Sequence, residues 1–452
     1  MSEDLEQKLN LIESYFESGD TAHLVNVVAD LKAADVAAVL SALTLEQGVV
    51  LFDSLAPELA SDVLAILDEG LTRELLDELD DSVIVRSIDL MASDDATDIV
   101  TLLKPERINE ILGKISRKDY EDVRELLKFD EESAGGLMAR EVMAVRSEAK
   151  ISEIIELLKP EAEKIEHIQN IYVVDGNRVL LGIIPIVKLL VVDRGKKAEE
   201  VMERDIVTVA VNTDQEEVAA IFAKYDLYSL PVVDENGRLA GRITVDDIID
   251  VIEEEATEDI KIMAGTGQEE FWEKSSVRVS RARLPWLLTG LFGGIGAALV
   301  MNYFRGSLES VLTLAFFVPV VTAMGGNVGI QSSAIVVREL AVGGGSLVRT
   351  SQKLLRELRV SLINGLVLGS VLLLTVTLWQ KDYRLGALLG ICLLVIVLWA
   401  TLMGAIVPLM LKKINVDPAL ATGPFITTSN DILGLLIYLG VATLFLDWVG
   451  GG

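Results

Sequence analysis

Five long apolar segments in the C-terminal part of the chain limit its fold more than any other feature. They cover residues 285–304, 311–337, 360–379, 385–411 and 419–446. Crossing the hydrocarbon core of a bilayer takes about 20 apolar helical residues, and each segment is close to or above that length. Since lipid offers no hydrogen bonds to a backbone, the spanning elements must be helices or a closed barrel. The pattern predicts an α-helical transmembrane domain with five helices over residues 284–452.

The remainder of the chain has the opposite character. Residues 1–283 hold 62 of the 69 Asp and Glu residues but only 30 of the 40 Lys and Arg residues. This imbalance predicts an acidic soluble region joined to a membrane domain. So much negative charge argues against nucleic acid as a partner and favours cations.

Positive residues on the short flanks of the spans predict the orientation. Ten Lys and Arg residues lie before span one, between spans two and three, and between spans four and five, whereas three lie on the other side. The positive-inside rule then places the N-terminus in the cytoplasm and the C-terminus outside. An odd number of spans with little internal symmetry favours a homodimer that encloses a pore between its subunits.

Apolar residues recur every 12 positions between residues 31 and 127. Short helices of eight or nine residues, each burying one stripe on its neighbours, produce such a pattern. We therefore predict a non-catalytic, all-helical superhelical N domain over residues 1–132. The first series contains Leu31, Leu43, Leu55, Leu67, Leu79, Met91, Leu103, Ile115 and Leu127, and the second contains Leu40, Phe52, Leu64, Leu76, Ile88, Val100 and Leu112.

A second repeat, with an offset of 59 residues, relates residues 136–195 to 198–255. Each unit is expected to contain a short strand, a helix, a β-hairpin and a second helix. The duplicated unit and the stretch 241–247 resemble the CBS domain, which implies an α/β CBS pair over 133–259 with a regulatory role. The resemblance places a nucleotide ribose at Thr244 and Asp247, whereas the first unit lacks a matching hydroxyl and acid. Residues 260–283 are then predicted to form a connecting helix.

Acidic residues spaced by four lie at the end of the second unit and just after it. Asp246, Asp250, Glu254 and Glu258 would share one face of a helix, where like charges repel. A divalent cation would relieve that repulsion. The alternative is an acidic face that is simply solvated.

Asp431 is the only acidic or basic residue between positions 419 and 446, about halfway along the last apolar segment. An unpaired charge inside a membrane costs about 2.5–3.5 kcal/mol on insertion scales, and such residues usually bind or relay an ion. Pro424 is expected to free a backbone carbonyl beside the hydroxyl and amide groups of residues 427–430, which suits a hard cation. The alternative is a protonated carboxyl group that helps pack the helices.

The second span combines helix-weakening glycines with polar side chains at membrane depth. Gly325, Gly326 and Gly329 alternate there with Asn327 and Gln331. One interpretation is a face of small residues for helix packing. The other is a broken helix that lines a water-filled path, which is tolerated in membranes. Such a strip opposite Asp431 would form half of an ion path.

Neither catalysis nor a soft-metal site is predicted. His23 and His167 are the only histidines and lie in no recognisable catalytic motif, and Cys392 is the only cysteine. A pore for soft metals is expected to show cysteine, histidine or methionine pairs.

Taken together, the helical repeat, the CBS pair and the five spans with Gly325, Asn327 and Asp431 resemble the MgtE family of magnesium channels. The resemblance implies a homodimer in the bacterial inner membrane whose pore carries Mg2+, with soluble domains that sense Mg2+ and a connecting plug helix that closes the pore. It also admits ATP at the CBS domains. The implied pore residues are Asp431, Gly326, Asn327 and Thr427. The implied sensor residues are Asp94, Asp95, Asp98, Asp246, Asp247, Asp250, Glu255, Glu258 and Asp259.

Three other functions stay open on the sequence. The first is a CBS-regulated transporter that couples a solute to protons or Na+ through Asp431. The second is a divalent-cation transporter of broader selectivity that also carries Co2+, Mn2+ or Ni2+. The third is a sensor that transports nothing.

Overall fold

In a computed structural model of the chain, the described residues are 3–18, 23–161, 168–264, 276–341, 347–414, 416–421 and 423–445. They belong to two compact units, Met1–Ile252 and Glu253–Gly452.

The first unit starts with short helices whose spacing confirms the 12-residue repeat. From α3 to α10 every helix begins 12 residues after the one before it, and each has eight to ten residues. The helices are α1 (Glu3–Ser18), α2 (Leu24–Val28), α3 (Ala33–Ala42), α4 (Leu45–Asp53), α5 (Pro57–Ile66), α6 (Glu69–Glu78), α7 (Asp81–Ile88), α8 (Ser93–Leu102), α9 (Pro105–Leu112) and α10 (Arg117–Leu126).

The repeat folds this way because residues before or at the start of several helices fix where they begin, and one apolar position of each helix fills a shared core. Thr44 caps α4 in a capping box with Gln47, and proline begins α5 and α9. The residues of the second apolar series from Leu40 to Val100 are each at most 1% exposed. Helices mostly pack against the next but one in the chain, as α3 does on α5 and α5 on α7. The predicted all-helical superhelical arrangement is confirmed.

Two similar α/β units follow. Each has a three-stranded sheet in which the first two strands are parallel and the last two antiparallel. Val173 pairs with Gly182 in one sheet and Val232 with Gly241 in the other, so the 59-residue offset holds at the level of strand register. The elements are β1 (Ala144–Arg146), α11 (Ile151–Glu161), β2 (Asn170–Val174), β3 (Leu180–Pro185), α12 (Ala198–Val201), β4 (Val209–Ala210), α13 (Gln215–Tyr225), β5 (Ser229–Val233), β6 (Leu239–Thr244) and α14 (Val245–Ala264).

The predicted connecting helix over 260–283 corresponds to parts of two helices. Residues 260–264 complete α14, and residues 276–283 begin the first membrane helix. Residues 265–275 lie outside the described part of the chain.

Among the described residues, five helices are long and apolar enough to cross a membrane, which confirms the predicted number of spans. The helix α19 packs against α17, α18 and α20, whereas α15 packs mainly on α20. Backbones approach closely where Gly369 of α18 meets Gly390 of α19. The second unit contains α15 (Ser276–Tyr303), α16 (Arg305–Ser310), α17 (Thr313–Ala341), α18 (Leu347–Gln380), α19 (Tyr383–Lys413) and α20 (Pro424–Leu444).

Candidate functional site

The helix with Asp431 is seated on a glycine face of α17, formed by Gly325, Gly326 and Gly329. A methyl group at Gly329 would collide with the amide of Asn430, and one at Gly326 would lie 3.4 Å from Cγ2 of Thr427. The structure thus brings together the predicted pore residues Gly326 and Thr427. Helix α17 is continuous from Thr313 to Ala341, so of the two interpretations its glycines fit the packing face, and the alternative helix break does not occur.

Polar side chains remain on the open surface of α17. Asn327 and Gln331 are both exposed, and their spacing of four residues places them on one face of the helix. Amide groups facing hydrocarbon would leave hydrogen bonds unmade. This face is therefore suited to water or to another protein surface.

Asp431 lies seven residues after the start of α20, which is about 10 Å along the helix axis. Its position corrects the expectation of a site halfway along the span, because the helix begins at Pro424 and not at Ala419. The side chain is half-buried, and no charged neighbour among the described residues acts on it. The carboxylate is thus open to a ligand from outside the chain.

The turn before α20 sets where that helix begins. Gly423 has a φ of 61°, a conformation that favours glycine, and Pro424 occupies the first helical position. At the first position of a helix the backbone N–H has no carbonyl partner within the helix. The lack of an N–H on Pro424 therefore leaves no carbonyl of the span without its hydrogen bond. The Thr427 amide and hydroxyl both donate to the Gly423 carbonyl at 3.0 Å.

The end of α14 reaches the same turn. A methyl group at Gly423 would collide with the backbone carbonyl of Met263. Both residues belong to the second unit. The helix that ends the CBS pair, α14, therefore contacts the start of the helix that carries Asp431.

In the first unit, four carboxylates from three segments form an acidic cluster: Asp94 and Asp95 of α8, Glu141 and Asp247. Burial, followed by the charges of Asp247 and Asp95, raises the pKa of Asp94 well above its usual value. Burial also raises the pKa of Asp247, partly offset by hydrogen bonds from Thr244. An arrangement that holds buried carboxylates together in this way favours a bound proton or a divalent cation.

Hydrogen bonds hold α8 against the start of the CBS pair. The Ser93 hydroxyl and amide donate to Oε2 of Glu141 at 2.7 and 3.3 Å, and the Arg140 amide donates to the Ser93 hydroxyl at 2.8 Å. Arg140 also pairs with Asp122 of α10 at 2.8 Å. These contacts place the acidic cluster where the helical repeat meets the second CBS unit.

The predicted nucleotide residues Thr244 and Asp247 hydrogen-bond to each other. The Thr244 amide and hydroxyl donate to Oδ2 of Asp247 at 2.9 and 2.8 Å, at the start of α14. This pairing is a helix N-terminal cap. Asp247 therefore has a structural role and also belongs to the acidic cluster.

The other predicted sensor acids are more open. Asp98, Asp246 and Asp250 are exposed, whereas Glu255 and Glu258 are half-buried; the side chain of Asp259 lies outside the described part of the structure. Within the described residues, no three His, Cys, Asp or Glu side chains are grouped closely enough to hold a metal ion by themselves. Ions bound here would need water as additional ligands.

Two residues of these sites were not singled out from the sequence. Glu141 lies in an irregular connection, without a repeat or motif to mark it. Asn430 is adjacent to Asp431, but only the packing of α20 on α17 distinguishes it from its polar neighbours.

Three family models match the chain. The MgtE divalent cation transporter model covers residues 318–441, the MgtE intracellular N domain covers 31–132, and the CBS domain covers 134–194 and 198–254. The Magnesium transporter MgtE of Thermus thermophilus is 35% identical over 454 residues, covering 98% of this chain and 100% of the relative. That of Bacillus subtilis is 32% identical over 386 residues, covering 85% of this chain and 86% of the relative.

Solved structures agree for the soluble region. A crystal structure of the cytosolic domain of the Mg2+ channel MgtE in complex with ATP is 32% identical, with a TM-score of 0.51, and the match covers 53% of this chain and 98% of that one. The soluble part of a magnesium transporter matches with a TM-score of 0.51 at 26% identity, covering 56% of this chain and 99% of that one. The matched family is one of divalent cation transporters. With relatives matched over nearly the whole chain, the resemblance seen in the residues is confirmed, and this protein belongs to the MgtE family of magnesium transporters.

Proposed function

We propose that this protein is a channel for Mg2+ uptake across the bacterial inner membrane, gated by Mg2+ on the side of its soluble domains. The observation that carries the proposal is the half-buried Asp431 carboxylate on a membrane helix, beside the contact of Gly326 with Thr427. Mg2+ keeps most of its waters and is typically held by one or two carboxylates. One Asp431 from each of two subunits would suit a hydrated ion.

We propose a homodimer, supported by surfaces that a single chain leaves open. Asn327 and Gln331 are exposed on α17, and a pore between two copies would give them water. In the first unit, Leu190 and Val191 are each 83% exposed, and Ile249 of α14 is 58% exposed. Exposed apolar side chains on both CBS units support pairing of these units with a second copy.

Gating is proposed to start at the acidic cluster. Mg2+ bound between Asp94 and Asp247 would favour the docked arrangement of α8 on the CBS pair, as would ions at the more open acids of α14. The contact of Met263 with Gly423 supplies a direct route from the end of α14 to the start of α20.

ATP is proposed as a second ligand of the CBS pair, on the strength of the solved relative that contains it. Thr244 and Asp247 are the candidate ribose contacts. Because a carboxylate accepts several hydrogen bonds, Asp247 can keep its bonds from Thr244 and accept one from a ribose hydroxyl. Nucleotide and Mg2+ would then meet at the same carboxylate.

Transport by purified protein in liposomes tests the function. We expect Mg2+ uptake that follows the Mg2+ gradient and is unchanged when a proton or Na+ gradient is imposed or collapsed. Uptake that requires either ion gradient would indicate a coupled transporter, and a protein that moves no ion would be a sensor only. Competition by Co2+, Mn2+ and Ni2+ in the same assay ranks the selectivity.

The orientation is tested by cysteine labelling with a membrane-impermeant reagent, in a Cys392→Ala background. Ser310→Cys should be labelled from outside intact cells, and Lys413→Cys only after permeabilisation, because the charge bias places these positions on opposite sides. Both positions are exposed, whereas nearby Ser307 is buried and hydrogen-bonded to Thr443 at 2.7 Å. The reverse labelling pattern would overturn the orientation.

A further inference from the structure

Asn430 places a buried amide between two membrane helices, immediately before Asp431. The side chain is 1% exposed, and its Nδ2 donates to the backbone carbonyl of Gly325 at 3.3 Å. Its Oδ1 is enclosed and accepts no hydrogen bond from the described residues. An amide buried with one acceptor unmade is uncommon in native structures and calls for an explanation.

The packing around this amide depends on the absence of side chains on α17. A methyl group at Gly329 would collide with Nδ2 of Asn430 and would lie 2.7 Å from Cγ2 of Ile426. One at Gly325 would lie 3.8 Å from Cβ of Asn430 and 3.4 Å from Cγ2 of Ile396 on α19. Asn430 therefore occupies a recess formed by Gly325 and Gly329 and meets α17 through one directional bond.

We propose that Asn430 is a positioning residue that fixes the rotation of α20 and thereby the direction of the Asp431 carboxylate. Consecutive residues of a helix point about 100° apart, so an amide held against Gly325 determines where the next side chain points. Leucine has a similar size and would fill the recess without an unsatisfied acceptor. A polar group kept at such a position is better explained by orientation than by stability.

The inference rests on the proposed function of Asp431, but one measurement in its test is independent of that function. In a Cys392→Ala background, the rate at which a water-soluble methanethiosulfonate reagent modifies Asp431→Cys reports the direction of position 431, whether or not that position binds an ion. Adding Asn430→Leu should change this rate by about tenfold. A tenfold change corresponds to a shift of about 1.4 kcal/mol in the free energy of exposing the thiol to the reagent. Adding Asn430→Ala should do the same.

The second measurement uses the native Asp431. Asn430→Leu should lower the preference for Mg2+ over Ca2+ in liposome flux by about tenfold, while the protein keeps the size-exclusion profile and thermal midpoint of the wild type. If Asn430→Leu misfolds, the same two measurements are made on Asn430→Ala. An unchanged labelling rate in both variants would refute the positioning role. Changed labelling together with normal flux in Asp431→Asn would instead refute the proposed role of Asp431 and leave the positioning role standing.

A role in packing alone is separated by a compensating pair. Asn430→Ala combined with Gly325→Ala moves bulk from one helix to the other without restoring the side-chain bond to the carbonyl of residue 325, and a methyl group at Gly325 would have no neighbour closer than 3.4 Å. The pair should regain thermal stability but keep the altered labelling rate and reduced selectivity. Full recovery of both functional measurements would show that Asn430 only fills space, and the proposal would be wrong.

Discussion

Asp431→Asn should reduce Mg2+ flux in liposomes by at least about tenfold without lowering the thermal stability of the protein. The change keeps the volume of the side chain and removes its charge. A unit charge about 4 Å from another contributes about 4 kcal/mol at an effective dielectric constant of 20, and each 1.4 kcal/mol lost at the ion is worth a factor of about ten. Losing a charge that costs about 2.5–3.5 kcal/mol to place in a membrane should leave the fold as stable as before or more stable.

The matched control is Glu309→Gln, which also removes one negative charge from the membrane unit. Glu309 is exposed and pairs with Arg305 on the short helix α16, where an ion pair contributes little. Its flux should equal that of the wild type. Wild-type flux and selectivity in Asp431→Asn would exclude Asp431 as the ion ligand. A marked loss of stability in that variant would instead support a packing role for this carboxyl group.

The architecture was largely predictable because it depends on local periodicities. A 12-residue repeat of apolar residues gives short helices that begin every 12 residues from Ala33 onward. The 59-residue repeat reproduces the strand register, since Val173 and Val232 each face a glycine. Apolar runs predict the five spans, but α15 and α18 begin well before their runs, at Ser276 and Leu347, because these helices extend through polar flanks. The start of α20 is later than its run because Gly423 turns the chain just before Pro424.

The site was predictable only where one residue is chemically conspicuous in its own segment. Asp431 stands out as the only charge in its span, and the acids of α8 and α14 stand out as clusters. The recess around Asn430 depends on residues about 100 positions apart, and the meeting of Asp94 with Asp247 depends on residues about 150 positions apart. The glycines of α17 were ambiguous in the sequence because a packing face and a helix break have the same composition. Only the neighbouring helix resolves that ambiguity.

Removal of the carboxylates at the acidic cluster should abolish most of the response of the soluble region to Mg2+. In the docked arrangement, Asp94 is buried beside Asp95, Asp247 and Glu141, and its pKa is raised by burial and by their charges. Without a divalent cation, repulsion between these carboxylates destabilises the docked arrangement. A bridging ion replaces repulsion with attraction and, because it binds the docked state better, shifts the population towards that state.

Protonation should act in the same direction when Mg2+ is absent. The raised pKa of Asp94 and Asp247 in the docked state means that docking takes up protons. The cost of bringing these carboxylates together is fully present above the raised pKa values and decreases as the pH falls from them towards the ordinary pKa of a carboxyl group. Acidification from neutral pH should therefore favour docking in Mg2+-free buffer, and Asp94→Asn should remove most of that pH dependence.

Asp94→Asn combined with Asp247→Asn is the decisive variant for the sensor. Shifting the ratio of docked to undocked molecules from 1:99 to 99:1 takes about 5.5 kcal/mol of differential ion binding. Several weak ion sites can supply this together, but we expect the exposed acids that remain in the double variant to fall short. In the wild type, millimolar Mg2+ should protect the connection at residues 127–139 from proteolysis and reduce Mg2+ conductance over the same concentration range. In the double variant, protection and conductance should both depend only weakly on the Mg2+ concentration, since the repulsion and the ion binding are lost together.

The control removes the same charge from exposed positions of the helical repeat, with Glu110→Gln and Glu121→Gln. Glu110 pairs with Lys114 just after α9, and Glu121 pairs with Arg117 in α10. Both pairs are exposed, so the control should leave both curves in place. Flattened curves in this control would mean that the net charge of the domain is sensed and not the cluster. If the Asp94 and Asp247 double variant closed at the wild-type Mg2+ concentration, the cluster would not be the sensor. The double variant could instead lose Mg2+-dependent protection from proteolysis while its channel closed as in the wild type. Docking of α8 would then not be coupled to the contact between Met263 and Gly423, and gating would reach α20 by another path.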